Sequence, residues 1–229
     1  MRAARVSRLY TLTRRWTNVR SWPPVLAAAG VYATLISFLG LWGVPYLTQV
    51  YGLRRVAAAN TVLWLAAGIV VGSPLVGWLS DRQLGLRRLP LIVCTWLYAA
   101  CWVVLVVPSD PRASATLPGP LFFIMGLTAS SLILVWSCVR EVNNPAHVGI
   151  VIGFCNAPIF LAFAMLQWLT GAILDATWAG LEAGGVRIYP EAGYRTAFGV
   201  CLAVAAGSLV MALLVTETRC RNIWRRATH

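Results

Sequence analysis

Charge is what this sequence has least of. Asp, Glu and Arg together make up 11% of its 229 residues, and lysine is absent altogether. A soluble domain carries about 25% charged residues, so the shortage excludes a soluble globular enzyme and a disordered tail. Without lysine there is no phosphate-binding glycine loop of the Walker type. The two histidines, His147 and the terminal His229, exclude a His-rich metal site. The six cysteines (Cys94, Cys101, Cys138, Cys155, Cys201, Cys220) form no C-x-x-C pair, and five of them lie in apolar runs. They read as small buried hydrophobes rather than as a disulfide framework. Gly126-Leu127-Thr128-Ala129-Ser130 supplies no nucleophile-elbow serine. The chain is therefore not expected to be an enzyme, and no metal or cofactor is expected.

What is abundant is apolar surface. Hydrophobic residues make up 59% of the chain, against roughly 45–50% in soluble domains, and the mean hydropathy is +0.72. Charge-free runs extend over 21–53, 56–80, 89–109, 113–139, 142–174 and 196–216. A bilayer-spanning helix needs about 20 mostly apolar residues, so each run accommodates one span. The expected organisation is a basic leader (1–20), a membrane domain (21–217) with spans near 23–47, 56–80, 89–108, 119–139, 148–174 and 196–216, and a basic tail (218–229). The 33-residue runs exceed the bilayer as straight helices, so they must tilt, protrude or break.

Arginine placement orients the spans. An even span count puts both termini on one side, and the segments on that side hold fourteen of the 19 arginines, including Arg2, Arg5, Arg8, Arg82, Arg87, Arg88, Arg140, Arg219 and Arg221. The positive-inside rule makes that side cytoplasmic. Trp22, Trp78, Trp178 and Trp224 stand near span boundaries, as interfacial anchors do. The net charge of +12 is spread between apolar runs rather than gathered on one soluble face, so it points to a lipid bilayer and not to nucleic acid. The acid-free leader superficially resembles a transit peptide, but a 33-residue uncharged run follows it instead of a cleavage site.

Two of the three aspartates close a G-x-x-x-D at the end of a span: Gly77 to Asp81 in the second, Gly171 to Asp175 in the fifth. These spans are the middle members of two triplets, and an odd number of spans per triplet inverts the second relative to the first. The expected fold class is thus an all-α membrane protein of six transmembrane helices in an inverted 3+3 repeat, a pattern found in secondary transporters. Gly68, Gly72, Gly149, Gly153 and Gly171 are candidate helix-packing positions. Gly77-Trp78-Leu79-Ser80-Asp81-Arg82-Gln83-Leu84-Gly85-Leu86-Arg87-Arg88 has the most chemical content. Asp81 closes a helix, where the macrodipole disfavours a carboxylate, so it needs a cation or free N–H groups. Gly77 allows a close neighbour and Gly85 a tight turn.

At these residues the chain resembles the major facilitator superfamily, whose signature G-x-x-x-D-[RK]-x-G-[RK]-[RK] joins the second and third helices of each half. Here one residue is inserted before Gly85, and Leu86 breaks the basic run. Gly40-Leu41-Trp42-Gly43-Val44-Pro45-Tyr46-Leu47, Arg140-Glu141-Val142-Asn143 and Gly149-x-x-x-Gly153-x-x-Asn156 extend the resemblance, in an order that matches the carboxyl-terminal half of a bacterial member. Family members have twelve spans in two halves. The resemblance therefore implies half of a transporter in the bacterial inner membrane, moving a small solute by alternating access against a second six-helix half, either a separate chain or a second copy. The alternative is a truncated fragment or a membrane scaffold without transport. By the same resemblance, Tyr32, Trp42, Asn60, Ser131, Asn156 and Gln167 are candidate cavity residues, although amides and aromatics also serve helix packing. Asp81, Arg82, Arg140 and Glu141 are expected to form a cytoplasmic ion-pair gate. No Asp, Glu, Arg or His stands near the middle of a run, so this half supplies no evident proton-coupling group.

Overall fold

A computed structural model describes residues 18–107 and 118–224. Most of the basic leader, the last five residues of the tail, and the loop with Asp110 and Arg112 lie outside the described residues, and with them eight of the 19 arginines, seven of these from the fourteen on the termini side. Among the described residues, six helices are long and apolar enough to cross a membrane: Val19–Gln49, Arg55–Leu84, Arg88–Val106, Pro118–Val142, Pro145–Thr177 and Glu191–Leu213. They are called the first to sixth spans below. A two-stranded antiparallel hairpin, β1 (Glu182–Ala183) and β2 (Val186–Arg187), joins the fifth to the sixth.

Local chemistry sets the ends and breaks. Asn18 accepts a hydrogen bond from the Arg20 N–H (3.2 Å) at the start of the first span, and Pro23 and Pro24 occupy the first turn of its α-helix Trp22–Ser37, where no N–H is needed. The first span widens into a π-turn at Phe38–Trp42, and the second ends in another at Leu79–Leu84. Ser130 and Ser131 divide the fourth into Pro118–Ala129 and Leu132–Val142. The sixth helix begins five residues before the charge-free run does. Pro190 precedes it, Glu191 sits favourably in its first turn, and Glu191 pairs with Arg195 one turn on (2.6 Å). Charge marks where the apolar core stops; caps mark where the helix stops.

The packing carries the internal repeat. The first span packs on the fifth and sixth, the fourth packs on the second and third, and the third packs on the sixth. Exchanging the triplets (first with fourth, second with fifth, third with sixth) maps each of these pairings onto another or onto itself. The contact between the fifth and sixth spans is the exception. The first and fourth spans are the most enclosed and the fifth the most open.

Glycine makes the tightest of these contacts. A Cβ at Gly126 would lie 1.9 Å from the Leu65 carbonyl oxygen, and one at Gly68 2.1 Å from that of Phe123. The backbones of the second and fourth spans therefore touch directly. Gly72 belongs to the same seam: a Cβ there would lie 2.6 Å from the Leu127 carbonyl oxygen. The expected packing role does not extend to Gly149, Gly153 or Gly77, which have open space where a Cβ would stand; Gly171 has ordinary contact with Trp42. Deeper in, Phe38, Tyr46, Trp102, Phe122 and Phe198 from four spans form an edge-to-face cluster with centroids 4.9–5.8 Å apart.

Gly126→Leu should separate the second and fourth spans and lower the detergent-solubilised melting temperature, because overpacking costs about 1–3 kcal/mol or more. Gly77→Ala should leave melting unchanged. Equal effects from the two would contradict the seam.

Candidate functional site

The second span does not end at Asp81. Its helix loosens into the π-turn, and Gly85 then takes a left-handed conformation (φ 61°) that reverses the chain. Ser80 Oγ donates to the Leu86 carbonyl oxygen (2.7 Å) and fastens the reversal. Arg87 is thereby turned inward. Its Nη1 donates to Ser80 Oγ (3.0 Å) and to Asp81, while Nε and Nη2 both donate to Glu141 Oε1 at 3.0 and 2.8 Å. Thr218 donates its hydroxyl to the other Glu141 oxygen.

The Arg87 and Glu141 side chains are 8% and 11% exposed, whereas Asp81 is 56% exposed. Burial alone would lower the Arg87 pKa, but the bonds to Glu141 and Asp81 outweigh it and hold the guanidinium above its usual range. A paired charge buried this way is costly to orphan, at about 3–5 kcal/mol.

A second carboxylate completes the cluster. Glu217 accepts from the backbone N–H groups of Arg87 (3.0 Å), Arg88 (2.9 Å) and Arg219 (2.8 Å). It therefore stands at the free N–H groups that open the third span. Partial burial pushes the Glu217 pKa up, but these donations prevail and hold it below the usual carboxylate range.

Arg219 and Cys220 then adopt left-handed backbone (φ 51° and 57°), turning the chain back across the end of the fourth span. That helix end is capped from both extremities of the described chain. Arg140 O accepts from Asn222 Nδ2 (3.1 Å), Glu141 O from Ile223 N–H (2.8 Å) and Val142 O from Asn18 Nδ2 (2.7 Å). Asn143 folds its own amide back onto Val139 O (2.8 Å) and Ser21 Oγ (2.7 Å).

Of the residues singled out from the sequence, Asp81, Gly85, Arg87 and Glu141 meet in one cluster. Arg88 joins it through its N–H and through Nη2, which donates to the Leu213 carbonyl oxygen (2.6 Å). Arg82 and Arg140 are exposed and pair with no carboxylate among the described residues. The ion-pair hub is thus Arg87, in place of the expected Arg82 and Arg140. Neighbouring helical residues do not face the same way, so turning Asp81 toward Arg87 leaves Arg82 pointing away from the cluster. Ser80, Glu217, Thr218 and Asn222 were not anticipated. The signal for Glu217 was its rarity, since the chain has only four glutamates.

The membrane-embedded candidates divide. Tyr32 meets Phe160 and Phe163 edge-on at 5.9 and 6.3 Å. Trp42 donates Nε1–H to Thr170 Oγ1 (2.9 Å) and packs edge-on against Tyr189. Ser131 is buried, at the break in the fourth span. Asn60 is exposed, and Asn156 and Gln167 are half-buried. These three side-chain amides have no hydrogen bond among the described residues.

At the opposite end of the bundle, Asp175 likewise pairs with an arginine from the loop that follows it. It accepts from Arg187 Nη1 (2.8 Å) and from the Tyr189 hydroxyl (2.9 Å), and Arg187 also lies over the Trp178 ring at 4.4 Å. Gln49 pins this hairpin to the first span, donating to Arg187 O (3.0 Å) and accepting from Tyr189 N–H (2.9 Å). Both G-x-x-x-D aspartates are therefore held by their own loops, but this second pair is half-exposed and weak.

Six alternating spans, an internal exchange symmetry and a fastened loop at each end define a multi-pass, all-helical membrane protein. No family model matches the chain. Over 177 residues it is 25% identical to the membrane sensor protein UhpC of Escherichia coli (strain K12), an alignment that takes in 76% of this chain and 36% of that protein. The chain thus spans about a third of the length of the relative it matches.

Glu141→Gln and Arg87→Gln should each destabilise the chain by about 3–5 kcal/mol in reversible unfolding, whereas Arg82→Gln should change little. For Glu217, a lowered folded pKa means that the folded state favours the carboxylate. Its stabilisation is complete above the unfolded value of about 4.3 and is lost as pH falls through the folded one. Melting followed from pH 7 down to pH 3 should show a loss that Glu217→Gln abolishes.

Proposed function

We propose that this chain moves a small solute across the bacterial cytoplasmic membrane by alternating access, as one six-helix half of a transporter of the major facilitator type. The observation that carries this is the state of the second and fifth spans. They are equivalent under the internal exchange, they are the least enclosed of the six, and they bear the unpartnered amides of Asn60, Asn156 and Gln167. Lipid tails cannot satisfy an amide. A second six-helix half, from a separate chain or a second copy, would cover both spans and enclose these amides around a solute. A two-fold axis along the membrane normal would set the second span of one half against the fifth of the other.

In this reading the termini are cytoplasmic and the Arg87 cluster is the cytoplasmic latch, closed while the cavity faces outward. A second reading, a sensor or scaffold that does not transport, is favoured by the name of the relative, a membrane sensor protein.

Photocrosslinkers at Trp64 and Trp168, both exposed on these spans, should capture a six-span partner or a second copy in native membranes; adducts with lipid alone would overturn the pairing. The latch has its own reporter in Cys220, half-buried with its Sγ 3.7 Å from the Ser80 carbonyl oxygen. Asp81→Asn removes only the exposed partner of the buried Arg87 and leaves its pair with Glu141 in place; a loss of about 0–1 kcal/mol should speed maleimide labelling of Cys220 by up to about five-fold. Glu141→Gln should speed it further. Unchanged labelling in both variants would rule out a gate. Uptake into proteoliposomes separates the transporter from the sensor.

A further inference from the structure

The geometry points to an uncharged, ring-bearing solute with hydrogen-bonding groups at its ends as the ligand, held against one stripe of the fifth span. This inference rests on the transport reading and names its substrate class. Asn156, Phe160, Phe163 and Gln167 follow one another at helical spacings of four, three and four residues, so they share a face. Tyr32 of the first span closes that face on one side, its ring edge-on to both phenylalanines at 5.9 and 6.3 Å. Phe160 is 55% exposed, so its ring is open to a visitor.

The stripe is apolar in its middle and polar at both ends. The two amides stand about 16 Å apart along the helix axis, each half-buried and without a hydrogen bond among the described residues. Side chains of that length reach a few ångströms toward one another, which leaves room for two linked rings. An aromatic wall stacks on the apolar face of a ring, and the amides take up its rim hydroxyls or carbonyls. A phosphate or carboxylate would find no counter-charge there, because no Asp, Glu, Arg, Lys or His occurs from Val148 to Leu174 or from Ser21 to Leu53. An acyl chain would leave both amides unsatisfied.

The test uses the full chain extracted into lipid nanodiscs with any partner retained. Two probes of one chromophore are measured by equilibrium dialysis: 4-nitrophenyl β-D-glucopyranoside, uncharged with two rings, and 4-nitrophenyl phosphate. The glucoside should bind saturably. Phe160→Ala and Gln167→Leu should each weaken it by about ten-fold, the loss of one stacking or hydrogen-bonding contact, and the phosphate should not compete. Gln167→Leu removes an amide from the membrane, so it keeps the fold and serves where Phe160→Ala fails to express. Absence of saturable glucoside binding, equal competition by the phosphate, or binding indifferent to both substitutions would overturn the assignment. Native mass spectrometry of the same discs counts the partners. Paired chains that do not bind overturn the substrate class and leave the transport reading standing. Unpaired chains that bind do the reverse.

Discussion

A charge taken out of water must be met by another charge and by enough hydrogen bonds to replace its hydration. In this chain that demand is concentrated on Arg87, and much of the surrounding backbone is arranged to meet it. The π-turn and left-handed Gly85 bring the guanidinium inward; Glu141 and Ser80 receive it. Thr218 occupies the other oxygen of Glu141, and Glu217 holds the backbone on which Arg87 begins the third span. The second and fourth spans are thus fastened at one end by a single cation, and the start of the third and the segment after the sixth join the same cluster through Glu217 and Thr218. The opposite end has a looser, half-exposed counterpart in Asp175 and Arg187.

Within the membrane the organising force is different. Lipid is as apolar as leucine, so helices gain little by hiding apolar side chains from it. They gain by close approach and by matched shape. The glycine seam between the second and fourth spans and the aromatic cluster around Phe38 are the two devices seen here. Where neither device operates, on the outer faces of the second and fifth spans, the chain leaves open both glycines and amides.

How much of this was legible beforehand depended on whether the signal was local. Runs without charge are local, and they anticipate six helices. Gly85 is local too, since a reversal that tight after a helix calls for a residue at ease with positive φ. The exchange of spans was foreshadowed by Gly77 to Asp81 and Gly171 to Asp175, which stand at the ends of two spans that the exchange interchanges. The partner of Asp81 was not, because adjacency to Arg82 along the chain says nothing about which side chain a later turn will bring back. Glu217 lay beyond the last apolar run, where its rarity was the only clue. Small residues at four-residue spacing mark a smooth face without naming its neighbour, so Gly68 and Gly149 looked alike and differ in fact.

The enclosed position of the first span bears on the order in which the molecule is made. Synthesis from the amino end delivers this span before the other five, yet two of its main neighbours, the fifth and sixth, follow only after three more spans have been made. Until then its polar side chains face lipid or the insertion machinery. Thr34 meets that wait from its own helix, bonding to the Gly30 and Val31 carbonyl oxygens (2.9 and 3.0 Å). Thr61, Ser73, Thr95, Thr128, Thr170 and Ser208 do the same, each to the carbonyl four residues back. Their hydroxyls are satisfied before any partner arrives, so the spans can be inserted singly and left to find one another later.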